Sequence, residues 1–352
     1  MAKGKPPRPD GRATCLAGYV LLILLVVYVQ EESRARRPVR APPERREWGR
    51  FPFCQASACA GGPTLNRPRP PAIPLQIEPQ YAREYWATVE QAGIPRFQIN
   101  THDPVTQDVY ISGAIHGGKP WDEAIVAYLA HVLRHGPAGA FVDVGANIGY
   151  FTLMAASLGR NVTAFEPMDR NVAKILASVE RNRGMRAWVR LFHNAVGQDA
   201  CGGVTLEHTH ATNQGNGKIL DGATGPVPVV RLDDALDEDV VVMKIDVEGH
   251  EAQVLAGARR LICTRRVHHI VLELSVDTVL RPDCPIYDTL RTMQDIGYSI
   301  TDVAPNAPRL SPHDVARFPP NIVLRLDDPT LAPAQRQAHG CEALTPPETA
   351  AR

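Results

Sequence analysis

Apolar and polar residues follow two different rhythms along the middle of this chain. Short aliphatic runs recur at Ala140–Val144, Asn161–Phe165, Trp188–Phe192, Val240–Ile245, His269–Leu274, Tyr298–Val303 and Asn321–Leu326. They have strand length and β-branched character, and most are apolar on both faces, as strands covered on both sides are. Between them, apolar residues recur every three or four positions, the helical spacing. Asp122–His135 carries Ile125, Val126, Leu129, Val132 and Leu133 in this way, and Gly136-Pro137 ends it. Tyr150–Leu158, Asn171–Arg183, Glu251–Ile262 and Ile286–Ile296 read as further helices. Strands separated by amphipathic helices predict an α/β fold with a mostly parallel sheet covered on both faces. Upstream, Tyr81–Ala92 reads as a helix, and Phe97–Asn100 and Val109–Ser112 as short strands. Val204–Glu207 and Pro228–Leu232 read as strands flanking a polar, glycine-rich excursion, His208–Gly225.

The pattern divides the chain into parts: a tail at 1–14, an apolar segment at 15–30, a Pro- and Arg-rich stem at 31–79, the α/β domain at 80–326 and a Pro- and Ala-rich tail at 327–352. Ala13 to Gln30 carries no charge, and 18 helical residues span about 27 Å, enough for a thin bilayer. Lys3, Lys5, Arg8 and Arg12 precede it, which favours a cytoplasmic N-terminus. Arg34, Arg36, Arg37 and Arg40 follow closely and blunt that argument. The absence of a small-x-small site after the apolar run favours an uncleaved anchor over a signal peptide. The expectation is a single-pass type II membrane protein of the secretory pathway, in the Golgi or endoplasmic reticulum. The stem, with little periodicity, would hold the globular head away from the membrane.

Charge narrows the partners. Net charge is zero, and the few aromatic residues are scattered, so neither a nucleic-acid footprint nor a base-stacking platform shows. Of the seven cysteines, Cys15 lies in the apolar segment. The other six are Cys54, Cys59, Cys201, Cys263, Cys284 and Cys341, and they form up to three disulfides if the head is lumenal or stay free thiols if it is not. Cys54 and Cys59 are the likeliest local pair by spacing. With no C-x-x-C pair, a zinc ribbon is not supported. Asn161-Val-Thr163 is a glycosylation sequon, but it falls at the start of a core strand.

Candidate chemistry begins at the strand Ala140–Val144, which turns through Gly145-Ala146-Asn147-Ile148-Gly149 into a helix. Strand, glycine turn and helix N-terminus make a nucleotide-binding corner. Gly145 permits the tight turn and Gly149 a close approach of helix or ligand. Asp143, inside the apolar strand, needs a partner. The glycine spacing is not G-x-G-x-x-G, which disfavours a nicotinamide dinucleotide. Glu166, at the end of the second strand, is placed to take the two hydroxyls of a ribose. A ribose acid without a pyrophosphate cradle suggests a nucleoside ligand.

The ordered set Phe141-Val-Asp-Val-Gly-Ala-Asn-Ile-Gly-Tyr-Phe-Thr152, Ala164-Phe-Glu-Pro167, Asn194-Ala-Val-Gly197 and Met243-Lys-Ile-Asp-Val-Glu-Gly-His-Glu251 resembles the FkbM family of S-adenosylmethionine-dependent methyltransferases. The likeness spans roughly Val109 to Leu326. It implies the class I methyltransferase fold, a Rossmann-like seven-stranded sheet with the last strand antiparallel, and S-adenosyl-L-methionine bound over the strand C-termini. It further implies Asp143, Gly145, Asn147 and Gly149 as the cofactor loop, Glu166 as the ribose acid, and Asn194 and Ala195 as the adenine wall. The cofactor has a ribose, an amino acid end and a sulfonium but no phosphate, which suits amides and carboxylates.

Asp246 ends a strand expected beside the first, so it faces the transfer region. Glu248 shares its face if the backbone stays extended, Gly249 permits a bend, and Glu273 ends the next strand. With His250, three carboxylates and an imidazole converge as candidate catalytic residues. Two readings stay open: a general base acting on an alcohol, or a divalent cation held by Asp246 and Glu248. Glu251 has a plainer reading as a first-turn helix charge. His208 and His210 are candidates for the acceptor pocket, and His268-His269 reads as structural. The expected activity is O-methylation of a hydroxyl or carboxylate on a glycan or small molecule. The alternative is a methyltransferase-fold scaffold that binds without catalysis.

Overall fold

In the computed structural model, which describes residues 85–200, 202–208, 212–213, 217–219, 225–274 and 286–330, the apolar runs lie side by side in one seven-stranded sheet. A hairpin, β1 (Tyr85–Gln91) and β2 (Ile94–Thr101), comes first and leads to α1 (Ile111–His116) and α2 (Glu123–His135). Then follow β3 (Ala140–Val144), α3 (Tyr150–Ser157), β4 (Val162–Phe165), α4 (Asp169–Arg181) and β5 (Val189–Phe192). Short strands β6 (Ala195–Val196), β7 (Gly203–Val204), β8 (Leu206–His208), β9 (Gly217–Ile219) and β10 (Val227–Val230) form the excursion. After α5 (Leu232–Ala235) come β11 (Val240–Ile245), α6 (Glu251–Gly257), α7 (Arg259–Thr264) and β12 (Val267–Glu273). The last described elements are α8 (Ile286–Asp295), β13 (Tyr298–Asp302) and β14 (Asn321–Leu326).

Spatial order in the sheet is β13-β14-β12-β11-β3-β4-β5. β12, β11, β3, β4 and β5 run parallel, and β14 lies antiparallel between β12 and β13. The chain leaves β3 toward β4 on one side and later returns to pair β11 on the other. That reversal opens a crevice at the C-terminal ends of β3 and β11. All five residues of β3 and all six of β11 are buried, as central strands covered on both faces must be. One face packs on α6, α7 and α8, the other on α2, α3, α4 and the β1–β2 hairpin.

The structure departs from the sequence reading at several places. The segment read as the helix Tyr81–Ala92 is, from Tyr85, the strand β1. Trp86, Thr88 and Val89 favour strand, and Gly93 at φ +78° turns the chain into β2. The segment Val109–Ser112 is not a strand, because the Asp108 carboxylate accepts from the N–H of Ile111 at 3.2 Å and of Ser112 at 2.9 Å and so caps α1. The helix Glu251–Ile262 is two helices meeting at Ala258. Val204–Glu207 is broken at Thr205, and Leu232 opens a helix instead of ending a strand.

The apolar segment at 15–30, the whole stem at 31–79 with its Cys54–Cys59 pair, and most of the C-terminal tail lie outside the described residues. Among the described residues no helix is long and apolar enough to cross a membrane. Cys263 is disulfide-bonded, and every other cysteine lies outside the described residues. Thr163 of the sequon is fully buried in β4 between β3 and β5.

Candidate active site

A cavity of about 300 Å³ opens at the C-terminal ends of the parallel strands. It is lined by Gly145, Asn147, Glu166, Asn194 and Ala195 on one side and by Asp246, Glu248, His250 and Glu273 on the other. Nine of the eleven site residues expected from sequence therefore meet around one space. Asp143 and Gly149 do not line it. Asp143 is buried beneath, where its Oδ2 accepts from Thr152 Oγ1 of α3 at 2.6 Å. Burial pushes its pKa up, against the pull of the Lys244 ammonium. Gly149 caps α3 at φ +85°, and a Cβ there would stand 2.9 Å from the Ile175 side chain. Its close approach is thus helix to helix and not to a ligand.

One end of the cavity is built on Gly145. Its N–H and that of Ala146 both donate to the Phe165 carbonyl at 3.0 Å, which ties the turn to the end of β4. At φ +79°, a Cβ would lie 1.9 Å from the Asp246 carbonyl oxygen, so only glycine fits. The turn carries on through Asn147 at φ +51°, whose N–H donates to Glu166 Oε2 at 2.7 Å. Glu166 Oε1 accepts from the Met168 N–H at 3.0 Å and from Asn171 Nδ2 at 3.2 Å. Burial pushes the Glu166 carboxyl up to about 7, although these hydrogen bonds favour the ionised form. Asn194 Nδ2 donates to the Pro228 carbonyl at 3.1 Å, while Ala195 pairs with Val229 in the small sheet.

The other end is built on charge. Lys244, one turn of the β11 pleat before Asp246, donates to Asp246 Oδ2 at 2.9 Å and lies 5.3 Å from the centre of the Phe151 ring. Burial alone would lower the lysine pKa, but Asp246, Asp143 and Glu273 outweigh it and hold the ammonium charged. Glu273, hydrogen-bonded to Asp246, is pushed up to about 8, first by the Asp246 charge and then by burial. Glu273 thus keeps its proton at neutral pH. Beyond Asp246 the backbone does not stay extended. Glu248 turns at φ +53° and Gly249 at φ +101°, so Glu248 reaches the cavity by a turn instead of by strand alternation. Glu251 folds back beneath that turn, its Oε1 accepting from the Gly249 N–H at 3.1 Å, and its pKa is raised by burial. It holds the loop, in keeping with the plainer reading of that residue.

Four contributors escaped the sequence reading. Tyr110, Trp121 and Met168 also line the cavity. Lys244 balances the acids from below. A lysine inside an apolar strand, two residues before Asp246, is the one signal that was available for it. His269 bonds to Tyr128 through its Nδ1, the structural role expected, and the His208 side chain and His210 lie outside the described residues. Among the described residues no group of three or more His, Cys, Asp or Glu is arranged to hold a metal ion. At Asp246 the position of a counter-cation is taken by Lys244.

The donor set fits an S-adenosylmethionine-like ligand. The Asn147 Oδ1 is buried with no hydrogen-bond partner, an acceptor waiting for a donor such as an ammonium. Glu166 is a fixed acceptor for hydroxyls. Residues 143–300 match the family model of the methyltransferase FkbM domain. Among solved structures, the chain is similar to a methyltransferase FkbM from Methylobacillus flagellatus KT, with 19% identity, 53% of this chain and 43% of that chain covered, and a TM-score of 0.36. A structure of WbdD shows 16% identity over 57% of this chain and 38% of that one, with a TM-score of 0.31. Precorrin-6y C5,15-methyltransferase from Geobacter metallireducens GS-15 shows 16% identity over 57% of this chain and 85% of that one, also with a TM-score of 0.31. The chain spans less than half the length of the first two. No curated protein matches it.

Proposed function

From the FkbM methyltransferase domain at residues 143–300, we propose that this chain transfers a methyl group from S-adenosylmethionine to an oxygen atom of an acceptor. The observation that carries the reading is Glu166, a buried carboxylate fixed by two backbone N–H groups and an amide at the edge of a cavity whose far wall is acidic. When bound, S-adenosylmethionine supplies an electrophilic methyl on a sulfonium cation. Glu166 would take the ribose hydroxyls, Asn147 would meet the amino acid end, and Asn194 with Ala195 would wall the base. Asp246, paired with the Lys244 ammonium at 2.9 Å, would face the sulfonium side. Glu248 and His250, at the cavity wall, would take the acceptor hydroxyl's proton as the C–O bond forms and the C–S bond to the departing thioether breaks. Holding acceptor and methyl in line is the larger contribution, since proximity replaces a bimolecular encounter.

The acceptor we propose is a hydroxyl or carboxylate on a glycan or small molecule, and the setting a head held in the secretory pathway by the anchor at 15–30. The disulfide at Cys263 supports an oxidising compartment. The test is incubation of the full chain with methyl-labelled S-adenosylmethionine and a panel of carbohydrates, lipids and proteins. Label on an acceptor oxygen, lost with Glu166→Ala, is the expected result. No binding of S-adenosylhomocysteine by calorimetry would overturn the enzyme reading and leave a scaffold. Label on lipid or protein alone would overturn the glycan.

A further inference from the structure

The carboxylate that this reading assigns to the ribose does not hold itself in place. Glu166 Oε1 accepts from Asn171 Nδ2 at 3.2 Å, and Asn171 Oδ1 is met in turn by His102 Nε2 at 2.8 Å. Both residues are buried, Asn171 at 1% and His102 at 4% exposure. Burial depresses the His102 pKa to about 4, so at neutral pH the ring is uncharged and carries one N–H. An asparagine amide has two ends, and which end faces Glu166 decides whether the contact attracts or repels. With the carbonyl end taken by the His102 N–H, the NH₂ end is left to point at the carboxylate. The main chain at this position is held as well: the His102 backbone N–H donates to Ser112 Oγ at 3.2 Å, and that hydroxyl donates to Asp108 Oδ2 at 2.6 Å. Neither Asn171 nor His102 lines the cavity.

We propose that Asn171 and His102 are positioning residues for the methyl donor: through the chain His102–Asn171–Glu166 they fix the carboxylate in the orientation that accepts the ribose hydroxyls. The outer link comes from residue 102, one position after the β1–β2 hairpin, whereas the family match begins at residue 143. The upstream segment is therefore part of the cofactor site. Tyr110, Ile111 and Trp121 from the same segment also line the cavity. The proposal rests on the reading of Glu166 as the ribose acid.

The test measures binding of S-adenosylhomocysteine, and of its analogue lacking both ribose hydroxyls, to the full chain by calorimetry. Asn171→Ala should weaken S-adenosylhomocysteine about tenfold, the scale of one hydrogen bond to a charged group. It should leave the dideoxy analogue, already weak, nearly unchanged. His102→Leu should reproduce the loss at a smaller amplitude, and His102→Gln, which restores an N–H, should rescue it. If Asn171→Ala does not fold, the His102→Leu and His102→Gln pair decides alone. An equal penalty on both ligands, or no rescue by glutamine, overturns the proposal and leaves a plain packing role. Failure of the wild-type chain to bind S-adenosylhomocysteine overturns instead the assignment of the site itself, so the two failures are distinguishable.

Discussion

At one end of the cavity a single carboxylate, Glu166, is met by three N–H donors, two of them backbone. At the other, Asp246, Glu248 and Glu273 crowd one another, and a buried ammonium, Lys244, lies against them. The first arrangement is fixed by where the chain goes, because a backbone N–H cannot be moved without moving the turn. The second is fixed by a balance of charges and shifts with protonation. The ends therefore fail differently: disturbing the first costs affinity for the donor, and disturbing the second changes pH dependence and stability. They touch at one point, where the Gly145 turn presses against the Asp246 carbonyl.

That contact gives the largest expected effect. Gly145→Ala puts a methyl 1.9 Å from the Asp246 carbonyl oxygen in a backbone already at φ +79°, so one of the two loops must move. Stability should fall by about 3 kcal/mol or more, as at strained and overpacked sites. Gly184→Ala is the control, since Gly184 has φ +87° but nothing within 4 Å of the added carbon. Only left-handed strain applies there, about 1–2 kcal/mol. Urea denaturation of both measures the difference, and equal losses would show that the two ends are not coupled through Gly145.

Lys244→Met comes next. It removes the ammonium from between Asp246, Asp143 and Glu273 and leaves their charges uncompensated. Breaking a buried pair from one side costs about 3–5 kcal/mol. Lys244→Met with Asp246→Asn should regain much of that stability and still lack activity. A double variant no more stable than the single would mean that Asp246 is not the main partner. Cofactor affinity should fall less than turnover, because Lys244 lies at the transfer end.

How far the sequence revealed this site follows from the same contrast. The turn at Gly145 was legible because a left-handed turn under a carbonyl demands glycine, and the place of Glu166 beside it because a strand-end acid opens onto the crevice of an α/β sheet. Gly149 was legible as a glycine but not in purpose, since Ile175 reaches it only through the packing of α4 on α3. Asn171 and His102 were invisible as partners of Glu166. They are 69 positions apart and meet only because the β1–β2 hairpin lies on α4. The hairpin itself was misread at β1, where a helical stripe of Tyr85, Trp86 and Val89 fits a strand equally well over so short a length. The parallel sheet was legible from its apolar runs, whose burial on both faces leaves little else for them to be.

Glu166→Gln sharpens the cofactor end. Burial places the Glu166 carboxyl at about 7, and ribose hydroxyls donate best to the ionised form. Wild-type affinity for S-adenosylhomocysteine should therefore rise with pH up to about 7, by about tenfold per unit below it, because only the ionised fraction is competent. The variant should bind more weakly at pH 8 and show no such slope. A slope that survives the substitution would assign the titration to another group. Calorimetry from pH 5.5 to 8.5 reads both.

The smallest effect is at Glu273. Its folded-state pKa is raised from the usual 4.5 to about 8. Between those values the folded protein keeps a proton that the unfolded chain has released, so stability falls as pH rises through the window. From pH 7 to 9 this one group accounts for a loss of about 1 kcal/mol. Glu166 adds to the decline only up to about pH 7, and Lys174, lowered by burial to about 8, opposes it above that pH. Glu273→Gln keeps a donor toward Asp246 without a titrating proton. It should leave stability at pH 7 nearly unchanged and flatten the curve above it. Urea unfolding at pH 7, 8 and 9 checks the slope; a variant as steep as wild type would show that Glu273 is not the group that titrates there.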